Sequence, residues 1–466
     1  MSAVQTPPAT RTGGAAAPPG PPLWAGPGLF RRLVTDRLAL LSGAAARYGD
    51  AVRLTIGPKS IYLFNHPDHA KHVLADNHAN YRKGIGLAEA RRVLGDGLLT
   101  GHGEVWRRQR RAIQPLFQNK RLARQDAIVA DEAGRLVARL RAHAGAGPVD
   151  VAGEMTALTL GVLGRTLLEA DLGAHASIAH TFEGVQDQAM FEMVTLGAVP
   201  LWLPLPLHLR FRRARRELHR IVDALMAERA AHPTDGTDLL SLLIAGTGQD
   251  ADPRAARERL RAELVTILLA GHETTASTLS WAFHLLDRHP DVRERLHAEA
   301  VSVLGDRPPA YEDLHRLTYT TMVLEEVMRL YPPVWALTRV AVESDEVGGY
   351  RVPAGADVLI SPYTLHRHPA HWPEADRFRP ERFAPDARAD RARYAYIPFG
   401  AGPRFCVGSH LGMMEAVFVL AMVSRELRLT GLPGRRAVPE AMLSLRVRGG
   451  LPMTVSVLEG RDDEHL

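Results

Sequence analysis

The chain has 466 residues, 46% hydrophobic and 23% charged, with a net charge of +5 and a single cysteine, Cys406. That balance describes a soluble globular protein with a sizeable core and excludes a disordered chain, a disulfide scaffold and a Cys-rich metal module. The positive charge is almost all Arg, with Lys only at Lys59, Lys71, Lys83 and Lys120, and no nucleic-acid-binding motif accompanies it.

Residues 1–28 are rich in Ala, Pro, Gly and Thr. They read as a flexible or extended leader without the apolar stretch of a signal peptide. Ala51 to Phe64 alternate β-branched and polar residues around Gly57-Pro58-Lys59-Ser60, which predicts a hairpin. Apolar residues at i, i+3, i+4 then predict helices near 68–76, 103–118, 121–144, 152–170, 177–196, 210–230, 254–288, 290–304 and 318–331. Short strands return at Val340 to Tyr350, Asp357 to Ile360 and Leu445 to Val457. There is no internal repeat, and no linker-like segment lies between 30 and 455. The pattern is one mostly α domain with minor β-sheet over 29–459, closed by a charged tail, 460–466. The apolar stretches Leu196 to Leu209 and Leu411 to Val423 are broken by prolines or carry Glu415, short of the about 20 apolar residues of a membrane span. A cytoplasmic, monomeric protein is the expectation, which a lone reduced Cys also suits.

The chemistry concentrates in Phe399-Gly400-Ala401-Gly402-Pro403-Arg404-Phe405-Cys406-Val407-Gly408. A lone Cys is usually a small buried hydrophobe. This one stands between a Gly-x-Gly turn and an apolar helical pattern beginning near Val407. Amides at a helix start favour a thiolate, glycines let the backbone approach a flat cofactor, and Arg404 can pair with an acidic cofactor edge. Such a sulfur can ligate iron. The run resembles the haem-binding loop of the cytochromes P-450, Phe-Gly-x-Gly-x-Arg-x-Cys-x-Gly, at every fixed position. The resemblance implies the P-450 fold, with haem b between a long central helix and a proximal Cys loop. It makes Cys406 the thiolate ligand of iron and puts Phe399, Arg404 and Gly408 at the cofactor. Gly412 stands where the family often carries Ala, which implies slightly looser haem packing.

Upstream, Ala270-Gly271-His272-Glu273-Thr274-Thr275 lies inside an apolar helical run. A Thr that bonds back to the preceding turn can open the helical ladder, and Gly271 removes bulk where a ligand can sit, so a kink is expected here. The hexad is similar to the family's oxygen-activation motif. That likeness assigns proton delivery to Glu273 and Thr274 and leaves His272 a bystander. Glu326 and Arg329 share a helix face flanked by Val323, Leu324, Val327 and Leu330, which predicts a buried pair. Phe378-Arg379-Pro380-Glu381-Arg382-Phe383 is similar to the family's Pro-Glu-Arg-Phe element, which implies a structural lock of Glu326, Arg329 and Arg382. Trp106 and Arg110, at i, i+4, match the family's Trp-x-x-x-Arg. With Arg339 and Arg404, they are implied contacts of the haem propionates.

Family topology further implies a distal pocket lined by Ile85, Leu87, Val93, Leu94, Met190, Phe191, Met193, Thr266, Leu269, Ala270, Val334, Ala336 and Leu337. These residues are mostly apolar, so an apolar ligand follows, while Arg82, Lys83 and Arg91 remain possible anchors for a carboxylate. Leu196 to Arg220 joins a proline-broken apolar half to five arginines and reads as a connection followed by a basic solvated face, or as a membrane-surface contact. Arg107, Arg108 and Arg111 form either a solvated face or a docking patch for an acidic electron donor. The chain has no flavin, nicotinamide or iron–sulfur module. By resemblance, electrons from NAD(P)H arrive through a ferredoxin and its reductase, with O2 as co-substrate. The texture of Ser361 to Arg367 and the Pro-rich stretch after it is similar to bacterial members of terpenoid pathways, such as the pentalenene oxygenases. The expected activity is hydroxylation of a terpenoid. Its rivals are fatty-acid or macrolide hydroxylation, a non-oxygenating haem-thiolate enzyme (isomerase, dehydratase or coupling), and a haem sensor.

Overall fold

A computed structural model describes residues 15–172, 178–195, 198–232, 238–247 and 252–458. The central helix, Pro253–Arg288, organises them: Asp252 caps it by accepting from the Arg254 amide, and Pro253 opens it at a position where no N–H is needed. Its flanks are covered by Val151–Leu163, by Thr318–Leu330 and by Ser409–Glu426, which merge into one apolar core. The last of these is buried nearly all round, as a helix inside a core must be. Val151–Leu168 is the one described helix long and apolar enough to cross a membrane; 61% of it is buried, and it serves as a core helix.

The central helix runs unbroken through the hexad, and the expected back-bond from Thr274 to the preceding turn, at the Ala270 carbonyl, is present. Gly271 also faces away from any ligand. A Cβ there would lie 1.9 Å from Leu163 Cδ1, so the glycine lets two core helices approach closely. Gly412 is likewise a helix-packing position, since its Cβ would lie 3.4 Å from Thr275 Oγ1.

A five-stranded sheet flanks the helices, in the order Ala51–Ile56, Lys59–Phe64, Asp357–Ile360, Leu337–Ala341, Tyr81–Lys83. The expected hairpin forms, with Ile56 opposite Lys59. The next pairing is parallel, Ile61 with Asp357, and the edge strand sets Lys83 opposite Arg339. The strand expected over Val340 to Tyr350 is instead three short pieces, Leu337–Ala341, Asp345–Val347 and Tyr350–Val352. The leader needs correction from residue 15 onward. The Pro19 carbonyl accepts from Arg53, the Ala16 carbonyl accepts from Arg351, and a helix starts at Gly26, so this segment is docked on the sheet. The tail 460–466 lies outside the described residues.

Candidate active site

The Cys loop is shaped by two glycines. Gly400 and Gly402 have φ of +73° and +67°, a region that penalises any side chain. A Cβ on Gly402 would sit 1.9 Å from the Leu74 carbonyl oxygen. The turn closes when Cys406 N donates to the Phe399 carbonyl at 3.0 Å. Cys406 is exposed, directly ahead of helix Ser409–Glu426. Its recess pushes the thiol up, while the amides of Gly408 and Ser409 and the Arg110 guanidinium pull it down, and burial wins. A metal bound to the sulfur would replace the proton and reverse that outcome. The Phe399 ring stands 6.2 Å from that of Phe405.

Beside the loop, cations gather. Arg404 lies 4.1 Å from the centre of the Trp106 ring and donates to the Gly101 carbonyl at 2.8 Å. Arg339 is buried on its strand, and burial pulls both guanidinium groups down to about 10. Lys83, opposite Arg339, is held well below its ordinary value by burial and by the charges of Arg339 and Arg404. Among the described residues no carboxylate ion-pairs with Lys83, Arg339 or Arg404. A buried like-charge cluster of this kind calls for an anionic partner, and the two propionates of a haem meet that need. Arg110 stands beside this cluster: its charge also lowers Arg404, it lies 5.8 Å from the centre of the Trp106 ring, and it donates to the Phe405 carbonyl at 2.7 Å, next to the cysteine.

Above this floor, Ala270 is exposed directly after the buried run 263–269 of the central helix, which marks the open face of a distal chamber. Thr274 shares that face and donates to the Ala270 carbonyl at 2.9 Å. Glu273 turns away. It accepts from Ser444 Oγ at 2.7 Å and from the Gln186 side chain, with Arg446 nearby, and burial pushes its carboxyl up. The structure therefore separates the acid from the alcohol. His272 bonds the Leu268 carbonyl and packs on Phe182, and burial lowers it to about 4, so it stays neutral and apart.

Of the expected pocket residues, Ile85, Leu87, Phe191, Met193, Val334, Ala336 and Leu337 keep surface, whereas Leu94, Met190, Thr266 and Leu269 are buried. The Val93 side chain lies outside those described. Arg91 is tied to Asp96, and Lys83 belongs to the cation cluster, so neither stands free as a carboxylate anchor. Arg82 is exposed.

Behind the loop, Arg329 grips Glu326 through two bonds, Nε to Oε2 at 2.6 Å and Nη2 to Oε1 at 2.8 Å, with both side chains fully buried. The remaining Arg329 protons go to the carbonyls of His366, Ala375 and Arg377. Arg382 approaches Glu326 at 3.4 Å. His366, held neutral by burial at about 3, accepts from the Ile397 amide at 2.8 Å and so ties this lock to the segment entering the Cys loop.

A cysteine presented at a helix start, an uncompensated cation cluster and an open helix face above them define a haem-thiolate protein. The comparisons agree: the model of the family described as Cytochrome P450 matches residues 18–448. The chain belongs to that family and is a cytochrome P450 monooxygenase, with haem iron held by Cys406. It is 37% identical to "Cyclooctatin synthase" of Streptomyces melanosporofaciens over 92% of this chain and 93% of the relative. It is 36% identical to "Cyclooctat-9-en-7-ol 5-monooxygenase" of the same organism over 83% and 84%. To "Pentalenene oxygenase" of Streptomyces avermitilis it is 33% identical over 85% and 88%.

Sequence reasoning missed Lys83 as a member of the cation cluster, and Ser444, Gln186 and His366. Lys83 carried one signal, an isolated Lys in an Arg-rich chain. The other three carried none.

Proposed function

We propose that this P450 hydroxylates a cyclic terpenoid, with Glu273 and Thr274 handling protons and Trp106, Arg110, Arg339, Arg404 and Lys83 holding the propionate edge. The observation that carries the substrate reading is the chamber wall. The expected lining residues that keep surface are apolar, Arg91 is tied to Asp96 and Lys83 belongs to the cation cluster beside the Cys loop, which leaves Arg82 as the one exposed cation of the three. Such a wall recognises hydrocarbon by burial and rejects a carboxylate that would lack a partner. The names of two relatives, one acting on cyclooctat-9-en-7-ol and one on pentalenene, support the same class.

Haem b bound to Cys406 supplies reductive activation of O2 and transfer of one oxygen atom. The chain supplies the rest. Glu273, pushed up by burial and bonded to Ser444, is the acid of the pair and has Arg446 of the Arg446–Glu440 ion pair nearby. Thr274, on the open face, receives that proton by way of water and presents its hydroxyl to the reacting oxygen. Arg110 steadies the ligand loop through the Phe405 carbonyl. Arg107, Arg108 and Arg111 are exposed on the helix that carries Trp106 and suit docking of an acidic ferredoxin supplied by its reductase. A cytoplasmic location and a monomeric state complete the reading.

A Soret titration of the ferric holoenzyme tests it. A high-spin shift with cyclic terpenes but not with medium-chain fatty acids is expected, and the reverse refutes the substrate class. Thr274→Ala separates monooxygenase from non-oxygenating chemistry. It should raise NADPH consumption per product several-fold, whereas a haem-thiolate isomerase would be unaffected.

A further inference from the structure

Four histidines with no part in the haem site form one cluster. His66 sits at its centre, with its ring 5.3 Å from that of His69, 5.5 Å from His371 and 6.0 Å from His368, and His368 lies 5.0 Å from His371. His66 caps the helix Pro67–Lys71 by accepting at Nδ1 from the Asp68 amide, 3.2 Å away. His368 accepts at Nδ1 from the Ala370 amide and donates from Nε2 to Asp50 at 2.8 Å. Both roles need a neutral ring, because a proton on either Nδ1 would abolish the acceptor. His371 Nε2 is buried without a hydrogen-bond partner among the described residues. Nor do any three donors among the described residues form a metal-holding group, so protonation is the chemistry left to this cluster.

Compensating charge is scarce there. Asp50 is already bonded to His368, and the Asp68 side chain is 86% exposed. Lys71 and His72, on the cavity of about 510 Å³ that opens the cluster to solvent, are tied to Asp76 and Asp345. Arg393, on the turn packed against the helix, lies over the Tyr394 ring. Burial, and then the neighbouring imidazoles, lower His69 and His371 against the pull of Asp50 and Asp68. An opened chain therefore binds protons that the closed cluster refuses, and closure weakens as pH falls below about 6.5. Both sides of the cluster bear on the Cys loop. The helix runs on through His72–Asp76, and the Leu74 carbonyl fills the space beside Gly402, where a Cβ would meet it at 1.9 Å. Across the cluster, the segment 366–372 holds the approach to the loop: His366 accepts from the Ile397 amide, and Trp372 donates to the Ala395 carbonyl at 3.2 Å.

We propose that His66, His69, His368 and His371 form a proton-operated clamp on the Cys loop: neutral, they hold the helix Pro67–Lys71 against the segment 366–372, and acid drives the two apart and loosens the haem. Each proton taken up breaks a cap or sets one imidazolium against another at ring-contact distance, with Asp50 alone inside the cluster to offset them. The clamp makes haem retention a function of pH, whatever substrate the chamber takes.

The test is Soret decay of the full-length ferric holoenzyme at pH 7.5 and after transfer to pH 5.5, read as the ratio of the two haem-loss rates. An imidazole that the closed cluster keeps neutral shifts the balance toward opening about tenfold at pH 5.5, one unit below its ordinary value, so the ratio should exceed about tenfold. His66→Asn keeps a helix-capping acceptor without a titrating ring, and His371→Phe keeps a ring without a proton site. Each should lower the ratio by about tenfold, whatever it does to the rate at pH 7.5, and if one of them fails to hold haem the other decides. His143→Gln, at an exposed position at the end of the helix Asp126–Ala142, should leave the ratio unchanged. Three outcomes would overturn the proposal: a ratio near one in the unaltered protein, a ratio unchanged in the cluster variants, or His143→Gln lowering it as far as they do.

Discussion

Glu263 offers a test of how burial tunes a carboxyl. It sits in the central helix, two turns before Ala270, and is 4% exposed. Its Oε2 accepts from the Leu98 amide at 3.0 Å, and its Oε1 is buried without a partner. Burial pushes the carboxyl from 4.5 up to about 7, against the opposing pull of that amide. A folded pKa above the unfolded one means that the native protein retains a proton that the unfolded chain has lost. Stability therefore falls as pH rises from 4.5 to 7 and levels off beyond. The loss is about 1.4 kcal/mol at pH 5.5 and about 3 kcal/mol at pH 8. Glu263→Gln removes the titration and keeps an acceptor for Leu98. With 466 residues, the unfolding entropy is about 1 kcal/mol per kelvin. The variant should thus gain about 2 °C in melting temperature at pH 8 relative to its gain at pH 5.5. The amide nitrogen it introduces costs a pH-independent amount, so the difference between the two pH values is the quantity to read. Calorimetry of the holoenzyme at both values measures it. A variant whose melting shift is the same at both, or larger at pH 5.5, would refute the reasoning.

Other substitutions test the packing and the site. Gly271→Ala puts a methyl 1.9 Å from Leu163 Cδ1 and should destabilise by about 1–3 kcal/mol, seen as a lower melting temperature; an unchanged value would show that the helices separate freely. Glu326→Ala leaves Arg329 buried and unpaired, which should cost about 3–5 kcal/mol and reduce haem recovery, read from the reduced-CO spectrum. Lys83→Met removes one cation beside Arg339 and Arg404 and should speed haem transfer to apomyoglobin several-fold; an unchanged rate would dismiss Lys83 as a propionate partner.

The α-rich architecture and the Cys loop were legible because each rests on local pattern. Apolar spacing marked Pro290–Leu304 and Asp357–Ile360 at their observed bounds, and the Gly-x-Gly turn ahead of Cys406 needs only its own backbone angles. The helices Arg37–Tyr48 and Leu87–Leu94 were not legible. The first follows a proline-rich entry, and Arg91 and Arg92 interrupt the second, so neither displays a clean stripe. Gly271 was misread for a different reason. A glycine beside a catalytic motif is equally suited to a ligand or to a neighbouring helix, and only Leu163 decides between them. Glu273 pointed the same way: its neighbour in sequence is Thr274, but its partners Ser444 and Gln186 come from distant elements.

The separation of Glu273 from Thr274 bears on how a proton enters without water flooding the chamber. Were both on the open face, a charged carboxylate would stand beside the apolar substrate surface, at a large desolvation cost. Turning the acid toward Ser444 and Arg446 takes it off the chamber face, while its burial pushes the carboxyl up and so favours the proton-bearing form. The Thr274 hydroxyl, neutral and bonded to the Ala270 carbonyl, is then the only proton-bearing group of the pair that the chamber must accommodate. An adjacent acid and alcohol on one helix are about 100° apart around its axis, so sequence adjacency itself enforces this division between an outer acid and an inner alcohol.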